Sequence, residues 1–592
     1  MARRAKTGNR ELSILRHAGL VPASTVPQAP RHLDSRRRGP RNKSGVTVAI
    51  AAVGALLLAT PALADALIDN VNGIALDKGG KVIHFTGLLI TPDGKIDRLL
   101  DEGDKRPAKL DWRTDMHGKV LLPGFIDAHG HIMDLGFRLM TLDLSETHSL
   151  AEAKAKIAAY VAAHPDKKWI LGGGWDQAKW GLGHFPTAAD LDSVVSDRPV
   201  VLTRIDSHAA WCNSAALKVA GITPTTKAPA GGQIVDGVLV DKARELIDKV
   251  IPQPLARERD LAFIKAQHDL LSNGITATDD MRTTLDNWLV FRRAADHGNL
   301  RMRIVSYAYG IDTANRVAGN GPSPWLYDGK LRMVGVKIFA DGALGSRGAC
   351  LKAPYADDPK SSGSCLLTDD QLRNMMSRAA MDGFQVAVHA IGDKANAEVL
   401  SAIDALADTY KGDRRWRIEH AQIVDPADLP RFAEHGIVAS MQPIHAVSDM
   451  HMAEARLGPD RLAGAYAWKS MLDNHVPLAF GSDYPNDDLN PFHGWAAAYT
   501  RQDADDLPFG GWQPQQRITR EQAWYAYTRG AAYASFSEND YGTLAPGQWA
   551  DFIIVDQDPT MASPSQLRNI KVEQTWVGGK MMWSRDKGGD GQ

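Results

Sequence analysis

The sequence predicts an α/β fold built as a (β/α)8 barrel of the TIM type. Apolar runs typical of buried strands recur along the chain, helix-like stretches separate them, and several runs stop at a polar residue. Parallel barrel strands are buried on both faces and carry functional side chains where each strand ends. We therefore expect the chemistry of this chain at the carboxyl ends of its strands.

The first of these runs covers residues 120–126 and leads into His129, Gly130 and His131. Residues two apart on an extended backbone point to the same side, so both imidazoles can converge on one point. Neutral imidazole is a good ligand for zinc and similar divalent ions. A histidine pair at this spacing also occurs on surface loops, so its meaning depends on further ligands downstream.

Four later runs each contain a residue that can bind a metal ion or carry a proton. The runs span residues 335–342, 384–389, 415–420 and 476–483, and the residues are Lys337, His389, His420 and Asp483. Helix-like stretches over 370–381 and 393–410 separate neighbouring runs, as a barrel requires. Any one of these residues could be a hydrogen-bonded structural residue, but their recurrence at strand ends predicts a common site.

The composition is that of an ordinary globular enzyme. With 592 residues, the chain is too long for one small core and suggests two or three structural units. Its 68 basic residues nearly balance its 70 acidic residues, so the charge predicts neither a nucleic acid nor an acidic partner. We expect a small-molecule substrate. The oligomeric state stays open, a homodimer included.

Residues 1–64 differ from the rest and predict a basic leader with a signal peptide. Residues 1–45 are basic, residues 46–59 are apolar or small, and Ala62-Leu63-Ala64 forms a small-x-small cleavage site. Cleavage after Ala64 would give a periplasmic or secreted bacterial protein with no stable membrane association. The alternative is an uncleaved membrane anchor, for which the apolar stretch is short.

Two of the three cysteines flank a loop rich in Pro, Asp, Ser and Gly. Cys350 and Cys365 could form a disulfide, which an extracytoplasmic location permits, or remain two free thiols. Both alternatives stay open. Cys212 is expected to be a small buried hydrophobic residue.

The order His-x-His, Lys, His, His, Asp resembles the amidohydrolase superfamily of metal-dependent hydrolases. It is most similar to amidohydrolase family 3, which includes enzymes like N-substituted formamide deformylase. Further matching segments are Gly174-Trp175-Asp176 and residues 206–213, 391–393, 441–446 and 542–552. The resemblance covers about residues 68–585, which is nearly everything beyond the N-terminal extension.

The resemblance also implies a domain organisation. Residues 65–121 and 541–592 would pair into one small β-sandwich domain, and residues 122–540 would form the metal-dependent barrel. An inserted region at about residues 150–275 would cover the active site. Its sequence suggests more helix and loop than a minimal barrel requires.

For the metal centre, the resemblance implies one or two divalent ions, with zinc as the expected metal. His129, His131, Lys337 and Asp483 would surround one ion, and Lys337, His389 and His420 would hold the other. Burial near cations lowers the pKa of a lysine, and the neutral amine can take up carbon dioxide to form a bridging carbamate. Alternatively, Lys337 is a structural lysine beside a single-metal site, and Asp483 is a helix N-cap.

The proposed reaction assigns Asp483 and His208 as catalytic residues. Asp483 would take a proton from the attacking water and deliver it to the leaving group, and His208 would donate to the substrate carbonyl. A packing role for His208 near Trp211 is the alternative. Substrate contacts are expected from Trp175, Asp176, His208, Gln442 and His445. Trp175 and Asp176 could instead only shape a Gly-rich turn, and Gln442 and His445 could point away from the site.

The sequence therefore predicts a metal-dependent hydrolase that cleaves a carbon–nitrogen bond other than a peptide bond, in an amide or an N-substituted formamide. Hydrolysis of an ester, or deamination of a ring, is the alternative on the same scaffold, because the fold does not choose the leaving group. A non-catalytic periplasmic solute-binding protein is the alternative from another class. The complete ligand set argues against it.

Overall fold

Eight parallel strands form a barrel in the computed structural model, which describes residues 66–587. After the last strand, Asp483 N donates to His129 O over 2.8 Å, which joins the end of the barrel to its beginning. His131 N donates to Tyr484 O over 2.9 Å. The strands, β1 to β8 in chain order, are Phe125–Gly130, Ile275–Thr283, Arg303–Tyr309, Leu331–Phe339, Gln385–Ala390, Arg417–His420, Val438–Met441 and Leu478–Phe480. The predicted barrel is confirmed.

Helices follow the barrel strands and cover their outer faces. The predicted helices over 370–381 and 393–410 are Asp369–Met381 and Asp393–Ala407. Thr368 starts the first of them, because its hydroxyl accepts the Gln371 N–H over 3.3 Å in a capping box. The other helices outside the inserted region are Ile132–Arg138, Leu285–Asp296, Ile311–Ala318, Leu429–Glu434, Pro443–Ser448, Met450–Leu457, Trp468–Asp473, Pro491–Thr500, Arg520–Tyr525, Ala531–Ala534 and Pro564–Arg568.

The predicted strand over residues 120–126 is divided at Gly124, which corrects the sequence interpretation. Val120–Pro123 belongs to another sheet, and β1 starts at Phe125. A Cβ atom at Gly124 would lie 2.3 Å from the side chain of Thr276, so only glycine fits where the chain passes between the two sheets. The histidine pair therefore stands at the end of β1, with His131 at the N-cap of the next helix.

Both ends of the described chain contribute strands to one sheet outside the barrel. Val120–Pro123 pairs antiparallel with Phe552–Val555, and the two strands meet in one eight-stranded sheet. The sheet has its own apolar core, which includes Ile68, Phe85 and Trp576. The remaining strands of the sheet are Ala66–Leu76, Val82–Ile90, Ile96–Leu100, Trp112–Asp115, Val572–Val577 and Lys580–Ser584.

The inserted region between β1 and β2 contains a six-stranded sheet, where the sequence predicted mainly additional helix and loop. Its strands are Leu142–Asp143, Ile170–Trp175, Val200–Arg204, Ala209–Cys212, Gly232–Val235 and Val238–Asp241. They are only two to six residues long, so an alternating pattern could not emerge in the sequence. The helices of the region are Leu150–Ala163, Ala188–Asp192, Ser214–Val219, Glu245–Asp248 and Ala256–Ser272.

The predicted leader and signal peptide, residues 1–64, lie outside the described residues. Within residues 66–587, none of the helices combines the length and the apolar character of a membrane span.

Of the two alternatives for the cysteines, the structure shows the disulfide. Cys350 and Cys365 are bonded, with their Cα atoms 5.1 Å apart, and close the segment between β4 and Asp369–Met381. Cys212 is a free, buried thiol.

We expect the double variant Cys350→Ser/Cys365→Ser to lose about 3 kcal/mol of unfolding free energy, because the bond closes a loop of 15 residues. Urea denaturation of the oxidised protein and of the variant measures the difference. Thiol titration of the unfolded, unreduced protein should find a single free thiol, and Cys212→Ala serves as the control without a disulfide change. Three free thiols, or equal urea midpoints, would contradict the expectation.

Candidate metal centre and active site

A cleft of about 1720 Å³ opens at the carboxyl ends of the barrel strands, and the inserted sheet forms part of its wall. The structure brings all six predicted metal ligands to the floor of this cleft. They are His129, His131, Lys337, His389, His420 and Asp483. All except His131 are almost fully buried. Residues far apart in sequence thus meet because the carboxyl ends of parallel strands share one end of the barrel.

The donor atoms of these side chains lie close together around Asp483. Its Oδ1 is 3.0 Å from His131 Nε2 and 3.5 Å from His129 Nε2. Lys337 Nζ is 3.2 Å from His129 Nε2. The ring of His420 is 4.6 Å from the ring of His129, centroid to centroid. Ligand atoms of His129, His420 and Asp483 all lie within 4.8 Å of one another.

This arrangement fits a divalent metal ion. In a tetrahedral zinc site with bonds of about 2.1 Å, neighbouring ligand atoms lie about 3.4 Å apart, close to the separations found here. Two buried atoms of the cluster, His389 Nε2 and Asp483 Oδ1, make no hydrogen bond within residues 66–587. Buried polar atoms are rarely left unsatisfied in folded proteins, and a carboxylate oxygen among imidazoles is a typical cation ligand.

The protonation states also suit metal binding. Burial lowers the pKa of His129 to about 4 and places the pKa values of His389 and His420 well below the ordinary range, so these rings are neutral. Burial lowers the pKa of Lys337 to about 8, although Glu419 and Asp483 oppose this shift. Burial alone would raise the pKa of Asp483, but His129 and other histidines outweigh it and hold the pKa well below its usual value.

Two of the predicted ligand rings have a hydrogen-bond partner on the side away from the cluster. His420 Nδ1 donates to Gln442 Oε1 over 2.9 Å, and His129 Nδ1 donates to Glu419 Oε2 over 2.7 Å. Both bonds leave Nε2 with a free lone pair. Gln442, for which a substrate contact was predicted, is buried behind His420 and is not among the residues that line the cleft.

His208 lines the cleft, as its catalytic assignment requires. Its Nδ1 lies 2.8 Å from Asp241 Oδ1, so the ring is held by a carboxylate. Burial lowers the pKa of His208, but the bond to Asp241 outweighs burial and leaves the pKa raised. Asp241 has φ 48° and ψ −123°, a strained backbone of the kind that concentrates at functional sites.

The other predicted substrate contacts divide into two groups. Asp176 and His445 line the cleft; Asp176 Oδ1 accepts from Arg204 Nη2 over 2.7 Å, and His445 Nε2 lies 3.9 Å from Asp483 Oδ2. Trp175, for which a substrate contact was also predicted, is not among the residues that line the cleft. Its indole is fully buried in the core of the inserted sheet, where Nε1 donates to Leu202 O over 2.7 Å.

Comparison with known proteins places the chain in a family. Residues 114–582 match the sequence profile of an amidohydrolase family. The chain belongs to the amidohydrolase family. It is 34% identical to the protein LONG AFTER FAR-RED 3 of Arabidopsis thaliana over 497 residues, 79% of this chain and 83% of the relative. It is 32% identical to the putative amidohydrolase YtcJ of Bacillus subtilis over 484 residues, 79% of this chain and 90% of the relative.

Further relatives agree with this amidohydrolase assignment. The chain is 26% identical to the N-substituted formamide deformylase of Arthrobacter pascens over 496 residues, 80% of this chain and 90% of the relative. An uncharacterized metal-dependent hydrolase from Pyrococcus horikoshii is similar in structure, with a TM-score of 0.69 and 26% identity. The match covers 84% of this chain and 99% of that one. This amidohydrolase is therefore an enzyme of a metal-dependent hydrolase family that acts on small molecules.

Sequence reasoning missed several residues that support the site of this amidohydrolase. Glu419 holds His129, Asp241 holds His208, and Asn486 Nδ2 donates to Asp483 Oδ2 over 3.0 Å. Glu419 carried a signal, since it is a charged residue inside an apolar run directly before the predicted ligand His420. Asp241 carried no such signal, because it lies in the inserted sheet, 33 residues after His208.

Proposed function

We propose that this amidohydrolase cleaves a carbon–nitrogen bond other than a peptide bond, in an amide or an N-substituted formamide, with two divalent ions, preferably zinc. The observation that carries the proposal is the convergence of the four histidines, Lys337 and Asp483 at one end of the barrel. The similarity to an N-substituted formamide deformylase supports the substrate class.

The proposed ligand sets share Lys337. His129, His131, Lys337 and Asp483 would hold one ion, and Lys337, His389 and His420 the other. A carbamate would form when the neutral amine bonds to the carbon of CO2 and releases one proton. The pKa of about 8 supports this step, because a sizeable fraction of the amine is neutral near pH 7.5. The resulting anion can bridge two cations, which an ammonium cannot.

The residues around this centre can perform an acyl transfer to water. When bound, the two ions would acidify a water and polarise the carbonyl group. Asp483 accepts the proton of the attacking water and then delivers it to the leaving nitrogen. Asn486 Nδ2 holds Asp483 Oδ2, whereas Oδ1 has no hydrogen bond in the described part of the chain and faces the histidines. His208, held by Asp241, donates to the carbonyl oxygen as negative charge develops there.

A substrate panel tests the proposal. The protein is stripped with a chelator, reconstituted with Zn²⁺ and assayed on amides, N-substituted formamides, esters and ring amines. We expect release of an amine from an amide or a formamide, loss of this activity in the stripped protein, and recovery on adding the metal. Hydrolysis of esters alone, or release of ammonia from rings alone, would overturn the substrate class. Equal activity of stripped and reconstituted protein would overturn the metal centre.

A further inference from the structure

We infer that Glu419, held by Arg417, is a positioning residue that fixes the ring of His129 with Nε2 toward the metal centre. The inference rests on the proposed metal centre and deepens it, since it says how one of its ligands is held. It assigns a role to a charged network that the proposed reaction does not use.

The contact between Glu419 and His129 is fully buried. Both side chains are 0% exposed, and Glu419 Oε2 accepts from His129 Nδ1 over 2.7 Å. A carboxylate behind a ligand imidazole fixes the tautomer and the ring plane, and it makes the opposite nitrogen a better ligand. His131 lacks such a support, because its buried Nδ1 has no hydrogen-bond partner among the residues that the structure describes. Glu419 is thus the carboxylate that holds a ring of the His-x-His pair from behind.

Arg417 fixes Glu419 relative to the barrel. Its Nε donates to Glu419 Oε1 over 2.8 Å, and its Nη2 donates to Ala128 O over 2.7 Å, directly before His129. A guanidinium has five N–H donors in a rigid fork, so it can tie several strands together. The further acceptors of Arg417 are Asp279 Oδ2 at 2.6 Å, Tyr307 OH at 2.9 Å and Ser440 Oγ at 3.0 Å.

These acceptors lie on β1, β2, β3, β6 and β7, so Arg417 connects one strand of the barrel to four others. A buried ion pair is weak evidence for a stabilising role, because well-packed apolar residues of similar volume often stabilise a core equally well. The carboxylate that Arg417 fixes at both oxygens is the one that touches His129. The network therefore sets the position of a ligand in addition to joining strands.

Asp279 offers a matched control for the test. Like Glu419, it is a fully buried carboxylate that contacts Arg417, but it forms no hydrogen bond or ion pair with His129. Glu419→Gln and Asp279→Asn each remove one buried negative charge from the network and keep the shape of the side chain. A role in stability alone predicts similar effects of the two variants on metal binding.

The test measures Zn²⁺ affinity by competition with a chromophoric chelator, with circular dichroism to verify folding. We expect Glu419→Gln to bind Zn²⁺ about 10- to 100-fold more weakly than the wild type, and Asp279→Asn to stay within about threefold. If Glu419→Gln does not fold, Glu419→Asp serves instead. It keeps the charge beside Arg417 but withdraws the carboxylate from His129, and we expect weaker binding in the folded variant.

Equal weakening in the Glu419 and Asp279 variants, or wild-type affinity in both Glu419 variants, overturns the positioning role while the metal centre stands. A wild-type protein that binds no Zn²⁺ overturns the metal centre, and the inference with it. The two failures are therefore distinguishable by the wild-type measurement.

Discussion

Replacement of Asp483 by asparagine should lower kcat on an amide substrate by about 10²- to 10⁴-fold, the range that general acid–base catalysis contributes. Asparagine has the same shape and can accept the Asn486 hydrogen bond, but it cannot take up a proton from water. Asp483 has φ 59°, a left-handed conformation that asparagine also adopts, so the backbone should not change. Steady-state kinetics and thermal unfolding of the reconstituted variant measure both effects.

Asp473→Asn is the matched control for this variant. Asp473 is an exposed carboxylate at the end of Trp468–Asp473, the helix that precedes β8 in the chain, and it pairs with Lys469 at the surface. We expect wild-type kcat in this control. Activity of Asp483→Asn within tenfold of the wild type would remove Asp483 from proton transfer. A large fall in its melting temperature would instead indicate a structural role.

The barrel could be predicted from the sequence because its strands are buried on both faces. A strand of this kind is a continuous apolar run, and the runs predicted at 384–389 and 476–483 enclose or overlap β5 and β8. The polar residues at their ends indicated where the candidate site lies. The inserted sheet left no such pattern, because its strands are too short and Ile170–Trp175 contains three consecutive glycines.

The strand order also predicted which side chains meet in the cleft, but it did not predict how they are oriented. Trp175 follows Gly174, which has φ 85°, and a backbone turn of this kind decides on which side the next side chain lies. Gln442 stands directly after β7, and only the packed barrel shows that it reaches His420 from behind. Residues that contact the predicted ligands are also distant in sequence: Glu419 and His129 are 290 positions apart.

Replacement of Lys337 by methionine should reduce the bound metal from two ions per chain to at most one and lower kcat by about 100-fold. Methionine keeps an apolar stem of similar length in a site where Lys337 is 1% exposed, but it has no amine to bond with CO2. Elemental analysis of the reconstituted protein gives the stoichiometry. Lys330→Met is the control, because Lys330 directly precedes β4, at the opposite end of the strand that carries Lys337.

The same variant separates a bridging carbamate from a structural lysine. A carbamate requires CO2, so the wild type reconstituted with Zn²⁺ and bicarbonate should gain more metal and activity than the wild type reconstituted in CO2-free buffer. Lys337→Met should not respond to bicarbonate, because no amine remains. A wild type that binds two ions equally well without CO2, or a variant with full metal content and activity, would leave Lys337 as a structural lysine. In that case, the burial that lowers the pKa of Lys337 would only favour a neutral amine beside the histidines.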